Sequence, residues 1–417
     1  MDLLEKVKQK LFNQVDILDS SLNEDLVKAK VMDILAEIER KEKRIVMPNE
    51  AEAVWQAIRD ELFGYSVLTP LITDPTITEI MINGPSQVYV EINGKKRLSS
   101  VKFVSEQHLM RVLEKMLQYS FRRVDEMNPY TDFSLPDGSR VNVIIPPVSR
   151  SGPVITIRKF LRSFNSIEDL ISANSLTREM GEFLVSAIKS RLNIVFSGAT
   201  GAGKTTTLSV LLNYLDPEER LVVIEDTAEL IIDHPHVVRL EARYSNIEGR
   251  GEVTIRDLFR NSLRMRPDRI VIGEVRGEES LDMLQAIASG HKGSLAVLHA
   301  DNPVDAIARL ETMVVIYNEE IPLWLVQKQI AQGIDLIVQQ ERMKDGVRRI
   351  TYITEVQGAD GNEVVLQDIF RFEQEGVNED GSVRGYWQKL GREPKVAEKM
   401  KKMGVKIKPE WFSDVVS

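Results

Sequence analysis

Residues Gly198-Ala199-Thr200-Gly201-Ala202-Gly203-Lys204-Thr205 fit the pattern G-x-x-x-x-G-K-[ST] in full. Glycines at these spacings let the backbone curl until successive N–H groups converge on one concavity, a shape that suits phosphate oxygens. A helix starting just after such a loop adds its positive end. Lys204 is then placed to reach the β- and γ-phosphates of ATP. The Thr205 hydroxyl is placed to bind Mg²⁺, with Thr206 beside it in the same cradle.

Three further groups have the types that nucleotide hydrolysis needs. Val222-Val-Ile-Glu225-Asp226 sets two carboxylates at the end of an apolar run, and Ile270-Val-Ile-Gly-Glu274-Val-Arg276 repeats the device. One carboxylate is required to orient or deprotonate the attacking water and another to help hold the metal. Glu274 and Glu225 are the candidates, with Glu274 also a metal-site candidate. Strand-end acids also serve as helix caps, so a structural role competes with the catalytic one. His299 ends the run Ser294-Leu-Ala-Val-Leu-His and is expected to sense the γ-phosphate. His291 and His299 have no acidic residues at ligand spacing between them, which argues against a dedicated metal site.

These groups must be positioned by buried strands. Leu192–Ser197, Leu221–Glu225, Arg269–Gly273 and Ser294–His299 are short apolar runs of that kind, separated by helical patterns such as Leu208, Leu211, Leu212 and Leu215. Alternation of this sort predicts an α/β sheet from Leu176 onward. In a doubly wound sheet, ligands sit beyond the carboxyl ends of the strands, where all the candidates above fall. Two helices are expected near 303–315 and 322–332, then hairpin strands over 334–372.

The first part of the chain reads differently. Residues 1–62 carry helical apolar stripes (Leu4, Val7, Leu11, Val15; Val27, Val31, Ile34, Leu35, Ile38) with a break expected at Asp19–Asn23. This appendage either packs on its own chain or recognises a partner. Residues 63–160 read as a small α+β domain with strands at 77–84, 87–94, 136–145 and 154–160 and a helix at 105–119. Arg140 and Arg158 lie on or beside its strands, where surface ion pairing is the ordinary role. Residues 161–175, polar and rich in Ser and Asn, read as a linker to the domain at 176–417.

Composition bounds the rest. With 417 residues and 43% hydrophobic content, two to three real cores are expected. There is no cysteine, which excludes disulfides and thiolate chemistry. No apolar run approaches a membrane span, and Met-Asp-Leu-Leu-Glu-Lys has no signal-peptide character, so a soluble cytoplasmic protein is expected. A net charge of −9 disfavours general nucleic-acid binding.

Several of these motifs carry a family resemblance. Leu263-Arg-Met-Arg-Pro-Asp-Arg-Ile-Val-Ile-Gly-Glu-Val-Arg276 resembles the Walker B segment of the type II/type IV secretion ATPase superfamily, the motors of secretion systems, type IV pili and archaeal flagella. Ile224-Glu-Asp-Thr-Ala-Glu-Leu is similar to its Asp box, and Ser289-Gly-His-Lys-Gly-Ser with Leu298-His299 to its His box. Asp74-Pro-Thr-Ile-Thr-Glu-Ile-Met-Ile-Asn-Gly, Leu135-Pro-Asp-Gly-Ser-Arg-Val-Asn and Ile155-Thr-Ile-Arg-Lys-Phe are similar to the CpaF-type (Tad, Flp pilus) assembly ATPases. The resemblance implies a PAS-like α+β domain joined to a RecA-like ATPase domain, in a hexameric ring with ATP between the two domains. It makes Arg140 and Arg158 charge-neutralising fingers and gives Asp226 and Arg276 motif positions of less defined role. It also implies that ATP turnover is passed to an inner-membrane platform protein, with the ring held at the inner face of the cytoplasmic membrane through that partner.

Residues 389–408 carry eight Lys or Arg against two Glu. They read either as a solvated helix or as a docking segment for the platform protein or anionic lipid. Two other functions remain to be weighed. A RecA-like nucleic-acid translocase would be stimulated by single-stranded DNA, and the acidic balance speaks against it. A nucleotide-gated scaffold would bind ATP without turnover, and the intact Lys204 and Glu274 speak against that.

Overall fold

A computed structural model describes residues 3–13, 23–92, 95–118, 120, 122–159, 164–243, 245, 250–318, 320–361 and 363–413. The expected break at Asp19–Asn23 lies outside them except for Asn23, as do residues 161–163 of the expected linker. The chain divides into two compact units, Met1–Leu161 and Arg162–Ser417.

In the first unit, α1 (Leu3–Phe12), α2 (Glu24–Glu42) and α3 (Pro48–Leu62) turn their apolar stripes toward one another. Leu3, Val7, Leu11, Val27, Val31, Ile34, Ile38, Trp55 and Ile58 form one buried cluster. Apart from Val15, which lies outside the described residues, the stripes predicted for this appendage are used in packing within the unit. A short helix α4 (Thr69–Thr73) leads to six antiparallel strands: β1 (Ile77–Asn83), β2 (Val88–Ile92), β3 (Lys95–Leu98), β4 (Tyr130–Ser134), β5 (Arg140–Ile144) and β6 (Val154–Arg158), in the order β3-β2-β1-β6-β5-β4. Alternate residues Ile80, Ile82, Val141, Val143, Ile155 and Ile157 face helix α5 (Glu106–Leu117), whose Leu109, Val112, Leu113 and Met116 complete that core. Lys115 Nζ donates to the Leu62 carbonyl at 2.7 Å, tying α5 to the end of α3. Strands β3 and β4 were not expected. The four β3 residues are all exposed and β4 buries only Phe133, so neither shows a full alternating pattern.

The second unit begins with a correction. Residues 164–175 do not form a plain linker. Ser166 and Asp169 build a capping box for α6 (Ile167–Ser172), and Ile167 and Leu170 are buried. After α7 (Arg178–Lys189) come β7 (Ile194–Ser197), α8 (Lys204–Leu212), β8 (Leu221–Glu225), β9 (Val237–Glu241), α9 (Ile255–Ser262), β10 (Arg269–Ile272), α10 (Glu279–Ala288), β11 (Leu295–Leu298), α11 (Pro303–Tyr317) and α12 (Leu323–Gly333). The chain ends with β12 (Leu336–Arg342), β13 (Arg348–Asp360), β14 (Glu363–Val377), β15 (Val383–Lys389) and α13 (Val396–Lys402). The nine strands lie in the order β15-β14-β13-β12-β7-β11-β10-β8-β9. Strands β12, β7, β11, β10, β8 and β9 run parallel, and β12 to β15 continue as an antiparallel meander.

Every residue of β7, β8, β10 and β11 is buried, because helices cover both faces. One face packs on α6, α7 and α8, the other on α10, α11 and α12. This is a doubly wound sheet, and the candidate residues emerge from one edge of it. At the opposite edge, Asn193 fixes three strands at their start. Its Oδ1 accepts from Gly293 N (2.8 Å) and Ser294 N (3.1 Å), and its Nδ2 donates to the Gly333 carbonyl (2.7 Å). Its backbone N–H donates to Asp335 Oδ2 at 2.8 Å. Asn193→Ala would remove the side-chain partner of the buried Gly293 and Ser294 N–H groups and of the Gly333 carbonyl, leaving the backbone bond to Asp335 in place. It should lower stability by about 3 kcal/mol, read as a fall in the urea midpoint. An unchanged midpoint would contradict the assignment.

The basic tail is not a plain solvated helix either. Val396, Ala397 and Met400 of α13 are buried, and Trp411 and Phe412 enter the core. Glu355 caps α13 through Val396 N at 3.0 Å. Lys399 pairs with Asp335, Lys401 with Glu393 and Lys408 with Glu182. Lys399 and Lys401, two charges of the segment read either as a solvated helix or as a docking segment, have partners within the chain. No helix among the described residues is long and apolar enough to cross a membrane.

Candidate nucleotide site

The strand β7 delivers the phosphate loop. Gly198 has φ +149°, and a Cβ there would lie 2.1 Å from the Gln340 carbonyl of neighbouring β12, so only glycine fits. Ala199, Thr200 and Gly201 are exposed at the tip, Ala202 is buried, and Gly203 is the N-cap of α8. That N-terminus has no side-chain cap, which leaves its N–H groups for an anion. Thr205 and Thr206 are half-buried in the first turn. Lys204 folds back over the loop, its Nζ donating to the Gly198 (2.7 Å) and Ala199 (2.9 Å) carbonyls.

The ends of β8, β10 and β11 bring the other groups together. Lys204 Nζ lies 3.4 Å from His299 Nδ1, and His299 Nε2 lies 3.1 Å from Glu274 Oε1. Glu274 Oε2 accepts from Arg276 Nη2 at 2.5 Å, and Arg276 Nη1 is 3.7 Å from Asp226 Oδ2. The partners fix the imidazole. An ammonium can only donate and a carboxylate can only accept, so Nδ1 is the acceptor and Nε2 carries the proton.

Electrostatics agree with that arrangement. Burial, the largest cause, pushes the Lys204 ammonium down to about 8, and Glu274 opposes it. Burial and then the Lys204 charge hold His299 below its usual range, so it is neutral at pH 7. Burial acts upward on Glu274, but the Arg276 hydrogen bond and the surrounding positive charge outweigh it and keep the carboxyl below its usual range. A neutral imidazole thus joins a cation and an ionised carboxylate over the loop.

Glu225 is placed differently. It is 3% exposed, and its Oε1 accepts from Glu229 N (2.8 Å) and Leu230 N (2.9 Å), bracing the turn after β8. Arg140 and Arg158 belong to the first unit. They are register partners on β5 and β6 and both are exposed, with Glu79 opposite Arg158 on β1. Sequence reasoning missed Glu279, whose Oε1 accepts from Arg276 N (2.6 Å) and Gly277 N (2.9 Å) and so sets the turn that carries Arg276. Its signal was local: an acid two residues past Gly277.

Mg²⁺ keeps water and phosphate ligands and takes only one or two protein oxygens. Thr205 lies next to Lys204, whose ammonium feels the Glu274 carboxylate, so a hydroxyl and an ionised carboxylate are both in this region. That donor set fits the ion.

The fold and this loop define a P-loop ATPase. The family model "Type II/IV secretion system protein" matches residues 61–357, and the chain belongs to that family. Its relatives include the conjugal transfer protein TrbB of Rhizobium radiobacter, 30% identical over 310 residues, 73% of this chain and 91% of that protein. Protein VirB11 of Agrobacterium fabrum is 34% identical over 275 residues, 58% and 78% of the two chains. Among solved structures, the ATPase DotB of Legionella pneumophila matches with a TM-score of 0.51 at 20% identity, covering 70% of this chain and 80% of that one. The pilus retraction motor PilT with bound ADP matches at 0.50 and 20%, covering 72% and 80%. At that identity the two structures speak for the RecA-like fold.

Proposed function

We propose that this chain is a hexameric ATP-driven motor for assembly of a Tad-type pilus or for secretion, acting through an inner-membrane platform protein. The observation that carries the enzymatic part is the continuous chain Lys204–His299–Glu274–Arg276 over an uncapped helix N-terminus. The Tad assignment rests on the motif resemblance at 74–84, 135–142 and 155–160.

In this reading the loop amides and Lys204 bind the ATP phosphates, with Thr205 and Glu274 as the protein groups for Mg²⁺. When bound there, the ion would neutralise charge on the ATP phosphates. Glu274 orients the attacking water. His299 holds Glu274 through Nε2–H and reports on Lys204 through Nδ1. Arg276 clamps Glu274 Oε2. A γ-phosphate would compete for that guanidinium and free the oxygen for water. Glu225 keeps the turn after β8 in place. Arg140 and Arg158, register partners on β5 and β6, would supply the charge that neutralises the transferred phosphoryl. Association with the membrane follows through the platform partner.

The test is ATP hydrolysis against protein concentration, with particle mass measured in parallel, on wild type and Arg158→Ala. Turnover should rise as hexamers form and fall about tenfold in the variant while hexamers persist, the loss of roughly one charge-assisted hydrogen bond. Activity independent of assembly and indifferent to Arg158 would reject the ring motor and leave a self-contained ATPase.

A further inference from the structure

We infer that Arg348, on the hairpin of β12 and β13, is a positioning residue for the phosphate-binding loop. It would set the loop's amides for ATP by holding the Gly201 carbonyl. This inference rests on the nucleotide-site reading above and extends it to a residue that no motif marks.

The hairpin runs alongside the loop. The Gln340 carbonyl presses on Gly198, and Gln340 Oε1 accepts from Thr207 Oγ1 of α8 at 2.9 Å. Beside it, Arg348 Nε donates to the Gly201 carbonyl at 2.9 Å. A Cβ on Gly203 (φ +101°) would lie 3.0 Å from both Arg348 Cδ and Gln340 Nε2, so the two side chains line the loop's flank.

The Arg348 end of this bond is anchored. Its neighbour Arg349 is buried, pairs with Asp345 Oδ2 at 3.0 Å and lies over the Phe372 ring at 5.5 Å. Asp345 in turn accepts from Val347 N at 3.0 Å and Val383 N at 2.9 Å, joining the hairpin tip to β15. The other end is weakly held. Gly201 has φ +76°, is exposed, and has nothing within 4 Å of where a Cβ would stand. Apart from Arg348, the Gly201–Ala202 peptide is held by the Ala202 N–H, which donates to the Ala199 carbonyl at 3.2 Å. Because the peptide is planar, holding the Gly201 oxygen reinforces that direction of the Ala202 N–H. A charge-assisted bond from an anchored guanidinium is a strong restraint for that purpose.

The test separates the bond from the charge. Glutamine places Nε2 at the position of arginine Nε, keeping a donor without the charge, and methionine keeps the shape without a donor. In calorimetric titration of the full chain with Mg²⁺-ATP, Arg348→Met should bind about tenfold more weakly, the value of one such bond. Arg348→Gln should stay within about threefold of wild type. In nucleotide-free protein, amide exchange in the peptide covering 198–206 should quicken in Arg348→Met and not in Arg348→Gln. Wild-type affinity in Arg348→Met, or equal weakness and equal exchange in both variants, would overturn the inference. Wild type that binds no ATP would instead overturn the nucleotide-site reading, and the exchange comparison would still decide the role of Arg348.

Discussion

Glu274→Gln should still bind Mg²⁺-ATP at neutral pH, more weakly by the one metal contact it alters, and hydrolyse it about a thousandfold more slowly. The amide has the shape of the carboxylate, and its oxygen can still accept from His299 Nε2, 3.1 Å away in the wild type. Lys204 and the loop amides, which carry the phosphate contacts, are not touched. What is lost is the negative charge that orients a water and takes its proton, so the larger loss falls on the chemical step. Binding by calorimetry and turnover by phosphate release, on the same preparation, give the split directly. A rate within tenfold of wild type would remove Glu274 from the role. The contrast is Glu225→Gln. There the amide must accept two backbone N–H bonds at 2.8 and 2.9 Å inside a buried turn, so the effect should fall on thermal stability first. A folded Glu225→Gln protein with intact ATP binding and no turnover would transfer the catalytic role to Glu225.

The sequence carried most of this site because its chemistry is local to strand ends. Ser197, Glu225, Glu274 and His299 each lie at, or one or two residues beyond, the end of a fully buried run. In a parallel sheet those ends share one edge, so types and spacing alone bring the groups together. What the sequence did not carry is long-range. Asn193 and Asp335 meet across 142 residues, Arg348 and Gly201 across 147, and Trp411 and Glu182 across 229. No periodicity links such pairs. The reading of 161–175 as a linker failed for a local reason. Its Ser and Asn content masked a capping box at Ser166 and Asp169, with Ile167 and Leu170 as the buried anchors of one short helix. The charge run at 389–408 misled in the opposite way, since lysines dominate the composition while Val396, Ala397 and Met400 decide where α13 lies. Glu225 shows a subtler limit. Position at a strand end was legible, but which backbone N–H groups its oxygen accepts from was not.

The pH dependence of ATP affinity should report on Lys204. Its ammonium is pushed down to about 8 by burial. Phosphate oxygens favour the charged form, so bound ATP raises that value back toward the usual lysine range. The sign follows from linkage. A group whose protonated form binds more tightly gives full affinity below its free value and loses affinity as pH climbs through it. Wild-type affinity should therefore be nearly flat from pH 6.5 to 7.5 and fall by about tenfold per unit above 8. Glu274 opposes the effect of burial, so Glu274→Gln should start this fall at lower pH. Lys204→Ala should bind about a hundredfold more weakly at pH 7, having lost a buried charged contact to two phosphates. Its residual affinity should not change across the same range, which separates the lysine from titration of the nucleotide or of His299. A wild-type affinity that held level to pH 9.5 would mean that Lys204 stays charged in the free loop. In that case its bonds to the Gly198 and Ala199 carbonyls would be compensating for its burial.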